Sequence, residues 1–294
     1  MTRITEQWNP VSKGIDEKPI PEILEIINTE DEKITKAIKS QLPRIAEAVE
    51  KIVSTISAGG NVYLVGAGTS GRLCVLEASE IPPTFGLSPD RIRAVIAGGV
   101  KAIYSSVEAA EDDRANAASE MERLGLSKHD LVIGVAASGS TPFVLGAVEK
   151  AKELGAETVG ISCNPDAQLS KHVDTPIEVV PGPEIVSGST RMKAGTTQKM
   201  VLNMMTTTAM MKLGLVYDGY MIGVQATNEK LKQRSTRIVS EITGASLEDA
   251  GKALMAVDWD VRAAIVTILT DSSPEEALAK LKTSTLRQII GGAG

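Results

Sequence analysis

Two stretches of this chain place small and hydroxyl-bearing residues directly after an apolar run. Gly66-Ala67-Gly68-Thr69-Ser70-Gly71-Arg72 follows residues 62–65, and Ser138-Gly139-Ser140-Thr141-Pro142 follows residues 131–137. The chemistry open to such a stretch is the holding of an anion. Glycines let the backbone turn tightly, the first free N–H groups of the next helix point at the ligand, and the helix dipole favours negative charge there. Phosphate is the expected guest. Gly66, Gly68 and Gly71 also satisfy G-x-G-x-x-G, but a nicotinamide site wants a carboxylate at the end of the following strand to hold the ribose. Here residues 94–97 run into Gly98-Gly99-Val100, with no acid. Two hydroxyl-rich strand ends suit a compact ligand of the sugar-phosphate type better than a dinucleotide. The plainer alternative, two Gly/Ser helix caps without a ligand, is common for one such loop and less so for two.

Carboxylates stand between and after these loops. In Glu77-Ala78-Ser79-Glu80-Ile81-Pro82-Pro83-Thr84-Phe85 the paired prolines are expected to end a helix spanning 73–79, fixing Glu80 near the first loop. Glu111, Asp112 and Asp113 form a second acidic group. Read alone, that group is a set of helix N-terminal charges favoured by the dipole. Together with Glu80 it offers two acids in different surroundings, which can divide general acid and general base roles. A third hydroxyl cluster, Ser187-Gly188-Ser189-Thr190, precedes a long helix and has Arg191 and Lys193 beside it.

Composition narrows the class. A chain of 294 residues can bury a full α/β core and still form a second small domain, and 43% hydrophobic residues is ordinary for a soluble globule. Only 3% of residues are aromatic and the formal net charge is −6, which argues against a nucleic-acid partner. The start, Met1-Thr2-Arg3-Ile4-Thr5-Glu6, lacks an apolar core, and no run approaches the roughly 20 apolar residues that span a bilayer. A cytoplasmic protein without a membrane partner is expected. Cys74 and Cys163 give no disulfide framework, and His129 and His172 show no ligand spacing, so no metal is expected.

The elements that must position these groups follow from periodicity. Residues 21–28 and 31–57 read as helices, the second with Ile34, Ile38, Ile45, Val49 and Ile52 on one stripe and Gly59-Gly60 as its stop. Strand-like runs at 62–66, 94–97, 131–136, 158–162 and 176–180 then alternate with helical runs at 72–79, 113–124 and 142–153. This alternation predicts a doubly wound parallel sheet flanked by helices, with ligands at the carboxyl ends of the strands. Long helices are expected over 194–213 and 220–243, the methionines of the first serving core or subunit packing. Gly244 opens a small unit of three short helices, 247–256, 259–269 and 274–282, capped by Ser246, Asp258 and Ser273. The expected division is thus 1–58, 59–243 and 244–294. The last unit resembles ubiquitin-associated three-helix modules, and a packing or dimer-stabilising role is the default.

At these residues the chain resembles the N-acetylmuramic acid 6-phosphate etherases, a bacterial cell-wall recycling family built on the sugar isomerase (SIS) fold. The resemblance runs from Thr5-Glu6-Gln7-Trp8-Asn9 through Gly66–Arg72, residues 78–85, Ile96-Ala97-Gly98-Gly99, Glu111-Asp112, residues 137–142, Gly182-Pro183-Glu184 and residues 188–195 to Thr227-Asn228-Glu229-Lys230-Leu231. It covers nearly the whole chain. It implies a carbon–oxygen lyase that cleaves the D-lactyl ether of N-acetylmuramate 6-phosphate without cofactor or metal, and that works as a homodimer. Glu80 matches the acid that assists lactate departure, Glu111 the second catalytic carboxylate, and Asp112 is the alternative base. Thr69, Ser70, Ser138 and Thr141, with loop N–H groups, would then hold the phosphate, Ser189 and Thr190 would help hold the sugar, and Gly68, Gly139 and Ser140 complete the substrate-binding set. Ser140 stands where an arginine is common, Phe143 where a tyrosine is, Cys74 where a glycine is and Glu77 where an aspartate is. The first change concerns a cationic contact to the substrate; none touches the proposed acids. Two other readings are a non-catalytic sugar-phosphate sensor and a sugar-phosphate isomerase, and release of lactate separates both from the etherase.

Overall fold

The computed structural model describes residues 3–107, 109–224, 226 and 228–291. By its packing the chain forms two units, one of residues 1–78 and 90–207 and one of residues 79–89 and 208–294. The N-terminal helices therefore share a unit with the sheet. Thr227, within the last block of the resemblance, lies outside the described residues.

α1 (Ile20–Asp31) and α2 (Lys33–Ser57) lead to β1 (Val62–Gly66), which runs into α3 (Gly68–Phe85). β2 (Ile92–Ile96), α4 (Lys101–Tyr104), α5 (Arg114–Arg123), β3 (Leu131–Val135), α6 (Pro142–Glu153), β4 (Glu157–Ser162), β5 (Thr175–Glu178) and α7 (Lys193–Lys212) follow. The five strands are all parallel, in the order β2-β1-β3-β4-β5. Tyr63, Val65 and Val132 join a core with Phe143, Val144 and Val148 of α6, and the opposite-facing Val62, Leu64, Leu131 and Ile133 are equally inaccessible. Both faces are thus covered, which is why these strands read as unbroken apolar runs.

The order reverses between β1 and β3, the two strands that lead into the hydroxyl loops. Gly66 pairs in register with Val135, so both chains leave the sheet side by side at the topological switch point, where open α/β sheets bind ligands. Gly66 and Gly71 make the first exit possible. A Cβ on Gly66 would lie 2.7 Å from the Gly71 nitrogen, and one on Gly71 would lie 2.6 Å from Ile96 Cγ1 and 2.8 Å from the Gly66 oxygen.

Several expectations change. Pro82 and Pro83 do not end α3, which continues to Phe85, where Gly86 N–H donates to the Pro82 carbonyl at 2.9 Å. The prolines remove two helical N–H groups, but Ile81 and Phe85 on the same turns are buried, and that packing outweighs the lost bonds. Residues 220–224, 226 and 228 are not helical. Tyr220–Met221 (β7) pairs antiparallel with Val216–Tyr217 (β6) across Asp218-Gly219, both at positive φ, a two-residue hairpin turn whose Asp-Gly signal outranks helical periodicity. α8 (Glu229–Thr243) starts where Asn228 accepts the Leu231 N–H.

The remaining helices of the second unit are α9 (Leu247–Ala256), α10 (Val261–Thr270), α11 (Pro274–Leu281) and a fourth, α12 (Leu286–Gly291), absent from the sequence reading. Asp260, not Asp258, caps α10, accepting from Arg262 and Ala263 N–H, while Asp258 itself turns at φ 50°. Among the described residues no helix is long and apolar enough to cross a membrane.

Candidate active site

The two loops open on one cavity of about 520 Å³ in the first unit. Gly68, Thr69 and Ser70 line it from the first loop, Ser138, Ser140 and Thr141 from the second, and Thr190 from the third cluster. Glu111 and Asp112 line it as well.

Each group is held by an identifiable device. Gly68 has φ +53°, and nothing lies within 4 Å of where its Cβ would be, so bare backbone faces open space at the start of α3. Ser70 is buried and donates to Gln198 Oε1 at 2.8 Å. Its proton is therefore committed, and its oxygen and N–H are what it can offer a ligand. Gly139 supplies a turn at φ +66°, with room for no side chain: a Cβ would approach Ala167 Cβ to 2.4 Å. That turn presents Ser138 and Ser140, whose hydroxyls are 3.2 Å apart. Thr141 is the N-cap of α6, yet its side chain makes no capping bond, leaving the hydroxyl available at a helix N-terminus. Ser189 is not among the lining residues; its N–H donates to Val186 O and helps shape the loop that carries Gly188 and Thr190.

The acidic run splits by position. Asp113 caps α5, accepting from Asn116 N–H at 2.9 Å, while Glu111 and Asp112 sit exposed in the preceding 3-10 turn. The turn begins at Ala109 with φ 59°, a left-handed conformation that a non-glycine residue adopts at a cost. Glu80 belongs to the second unit and is exposed on α3.

Lys193 is not a ligand cation. It is buried, its Nζ pairs with the buried Glu30, and its N–H and that of Ala194 donate to Glu184 at 2.9 Å each. Burial works against the Glu30 charge, but bonds from Lys193, Lys33 and Asn9 together hold its pKa down at about 2. Burial pushes the Glu184 carboxyl up against the two backbone N–H groups that favour its charge. Burial likewise pushes the Cys74 and Cys163 thiols up, which removes both from nucleophilic chemistry.

The lining residues that the sequence motifs did not single out for chemistry are Arg3 and Glu6. They reach the cavity because Thr5 is clamped. Its N–H donates to Asn164 Oδ1 at 3.2 Å and its hydroxyl accepts from Asn164 Nδ2 at 3.0 Å. The only sequence signal was the block starting at Thr5.

A five-stranded parallel sheet in this order, with two hydroxyl loops at its switch point, fits a sugar isomerase (SIS) domain, and the family matches show that class. Residues 104–209 match the SIS domain family, and residues 44–152 match the glucokinase regulatory protein N-terminal SIS domain. Among solved structures, a phosphoheptose isomerase from Francisella tularensis superposes with TM-score 0.50 at 18% identity, over 65% of this chain and 98% of that one. A protein of Escherichia coli CFT073 superposes with TM-score 0.50 at 15% identity, over 69% and 97%. These share the fold. Over most of its length the chain is similar to curated N-acetylmuramic acid 6-phosphate etherases. It is 48% identical to that of Exiguobacterium sp. over 95% of each chain, and 49% identical to a Vibrio parahaemolyticus one over 95% of this chain and 93% of the other. The chain belongs to the N-acetylmuramic acid 6-phosphate etherase family.

Proposed function

We propose that this protein cleaves the D-lactyl ether of N-acetylmuramate 6-phosphate to N-acetylglucosamine 6-phosphate and D-lactate, by elimination followed by hydration. Family membership supplies the reaction. The observation that carries the route is the single cavity in which two hydroxyl loops suited to phosphate face Glu111 and Asp112. An alkyl ether is a poor electrophile, so direct displacement by water is unattractive. In the open-chain sugar the C1 aldehyde acidifies the C2 proton. A carboxylate takes that proton, the C3–O bond breaks, and the departing oxygen is protonated to leave D-lactate and an unsaturated aldehyde. Water then adds its oxygen to C3, and C2 regains a proton.

We assign proton abstraction to Glu111, with Asp112 as the neighbouring alternative. Departure of lactate and activation of water go to Glu80, on its place in the Glu80-Ile81-Pro82-Pro83 block. Thr69, Ser70, Ser138 and Thr141 with the Gly68 N–H receive the phosphate, assisted by Ser140 and by the turn at Gly139, whose own N–H is bonded to the Ala136 carbonyl at 2.9 Å, while Ser189 and Thr190 shape the sugar side. The binding energy of that remote phosphate orients the reacting carbons. The reading places the enzyme in the cytoplasm as a homodimer.

Turnover in heavy water should place deuterium at C2, and turnover in oxygen-18 water should label the C3 hydroxyl and leave lactate unlabelled. Heavy oxygen in lactate would overturn the elimination route. Absence of lactate altogether would favour an isomerase or a sensor.

A further inference from the structure

The cavity carries an imbalance of charge. Its lining includes three carboxylates, Glu6, Glu111 and Asp112, and one cation, Arg3. The ligand of the proposed reaction carries two anionic groups, a phosphate on C6 and a carboxylate on the lactyl arm at C3. The phosphate has two backbone loops and the N-terminus of α6 to receive it. Among the described residues that line the cavity, the carboxylate has no comparable cradle.

Arg3 stands where such a group would be met. It lines this cavity and also a larger adjoining one of about 1050 Å³, and Glu6, Ser138 and Ser140 are the other residues common to both. Its side chain is exposed and has no ion-pair partner among the described residues. It is nonetheless not at the end of a loose tail. The Ile4–Glu6 turn begins one residue on, the Glu6 N–H donates to the Arg3 carbonyl at 3.0 Å, and buried Thr5 is bonded twice to Asn164. Further along, Ser12 donates to the Ile185 carbonyl at 2.6 Å and Asn9 to the Pro183 carbonyl at 3.0 Å, so the segment is fastened at both ends. An arginine whose backbone is anchored in this way carries a planar guanidinium fork that can match a carboxylate bidentately.

We infer that Arg3 binds the lactyl carboxylate and thereby selects the lactyl ether over hexosamine phosphates that lack it. The inference rests on the reaction proposed above and extends it to the recognition of its leaving group. Arg3 is a specificity residue in this scheme, since it touches neither C2 nor the breaking bond. Asn164 is the residue that positions it, acting through Thr5.

The test compares two ligands that share the sugar phosphate and differ in the lactyl arm. For wild type, Arg3→Gln and Arg3→Lys, one measures kcat and KM for N-acetylmuramate 6-phosphate and the inhibition constant of N-acetylglucosamine 6-phosphate. Arg3→Gln should lower kcat/KM by about 10- to 100-fold, the range for a charge-assisted bond, and leave the inhibition constant within about twofold. Arg3→Lys should recover part of the loss. Thr5→Val, which removes the hydroxyl bond to Asn164 and keeps Arg3, should move kcat/KM in the same direction by less. An equal weakening of both ligands would give Arg3 to the phosphate and overturn the inference, as would no change in either. If wild-type protein released no lactate, the reaction would fall and the contact would still be read, because calorimetric titration of the unconsumed N-acetylmuramate 6-phosphate and of N-acetylglucosamine 6-phosphate compares the same two ligands.

Discussion

Glu111, Asp112 and Asp113 are consecutive acids with different surroundings, and position decides what each can do. Asp113 is spent on the helix cap, whereas Glu111 and Asp112 look into the cavity. Replacing Glu111 by Gln keeps its size and removes its proton chemistry, so lactate release should fall by about 100- to 10,000-fold. Deuterium entry at C2 should fall with it. Glu80→Gln should abolish lactate release while C2 exchange persists, since the proton can leave even where the ether cannot. NMR of the substrate in heavy water separates the two, and loss of exchange only in Glu80→Gln would reverse the assignment. The glycines of the first loop can be separated in the same manner. Gly68→Ala places a methyl in open space at φ +53°, so it should cost only about 1–2 kcal/mol in unfolding free energy while impairing substrate binding. An activity loss no larger than that of a distant surface mutation would show that the space is not the ligand's.

At the scale of elements, the close approach of Gly66 and Gly71 sets the turn from β1 into α3. Gly71→Ala forces a methyl to 2.6 Å from Ile96 and 2.8 Å from the Gly66 carbonyl, with backbone on one side and a buried side chain on the other. Overpacking of this kind costs about 1–3 kcal/mol, so denaturant unfolding should show a marked loss of stability. Gly68→Ala and Gly71→Ala therefore make a matched pair, one read mainly in binding and the other mainly in folding. The start of α7 is set by a carboxylate in the same spirit: Glu184 receives the Lys193 and Ala194 N–H groups, and the third hydroxyl cluster is carried just ahead of it.

Across the whole first unit, the N-terminal segment is tied to the start of α7 by charge. Glu30 of α1 pairs with Lys193 of α7, and Asn9 bonds both Glu30 and the Pro183 carbonyl. Because the folded pKa of Glu30, about 2, lies below its ordinary value of 4.5, the pair contributes stability that is fully present above about pH 4.5 and is lost as pH falls toward 2. The shift corresponds to roughly 3 kcal/mol. Glu30→Gln leaves a buried ammonium without its counter-charge and should destabilise the protein by about 3–5 kcal/mol at neutral pH. Unfolding measured across pH 7 to 2 should show the mutant and wild-type curves converging through that window. A constant gap would mean that Glu30 does not titrate there.

Residue types and spacing determined the α/β class, the five strands, the two hydroxyl loops and the acids beside them. These are local properties: an apolar run that stops at glycine, a hydroxyl at a helix start and alternation of period are all written within a dozen residues. The family resemblance was equally legible, because long ordered blocks survive as sequence. Tertiary structure decided what depends on distant partners. Nothing near Lys193 in sequence announces that Glu30, more than 160 residues away, neutralises it and removes it from ligand binding. Pro82-Pro83 reads locally as a stop, yet the burial of Ile81 and Phe85 carries the helix past it. Arg3 looks like the start of a tail, and only the clamp between Thr5 and Asn164 makes it a wall of the cavity. The adjacency of the two loops has the same origin. Parallel pairing of β1 with β3 is a choice of strand order, made by packing over the whole sheet and not by either strand alone.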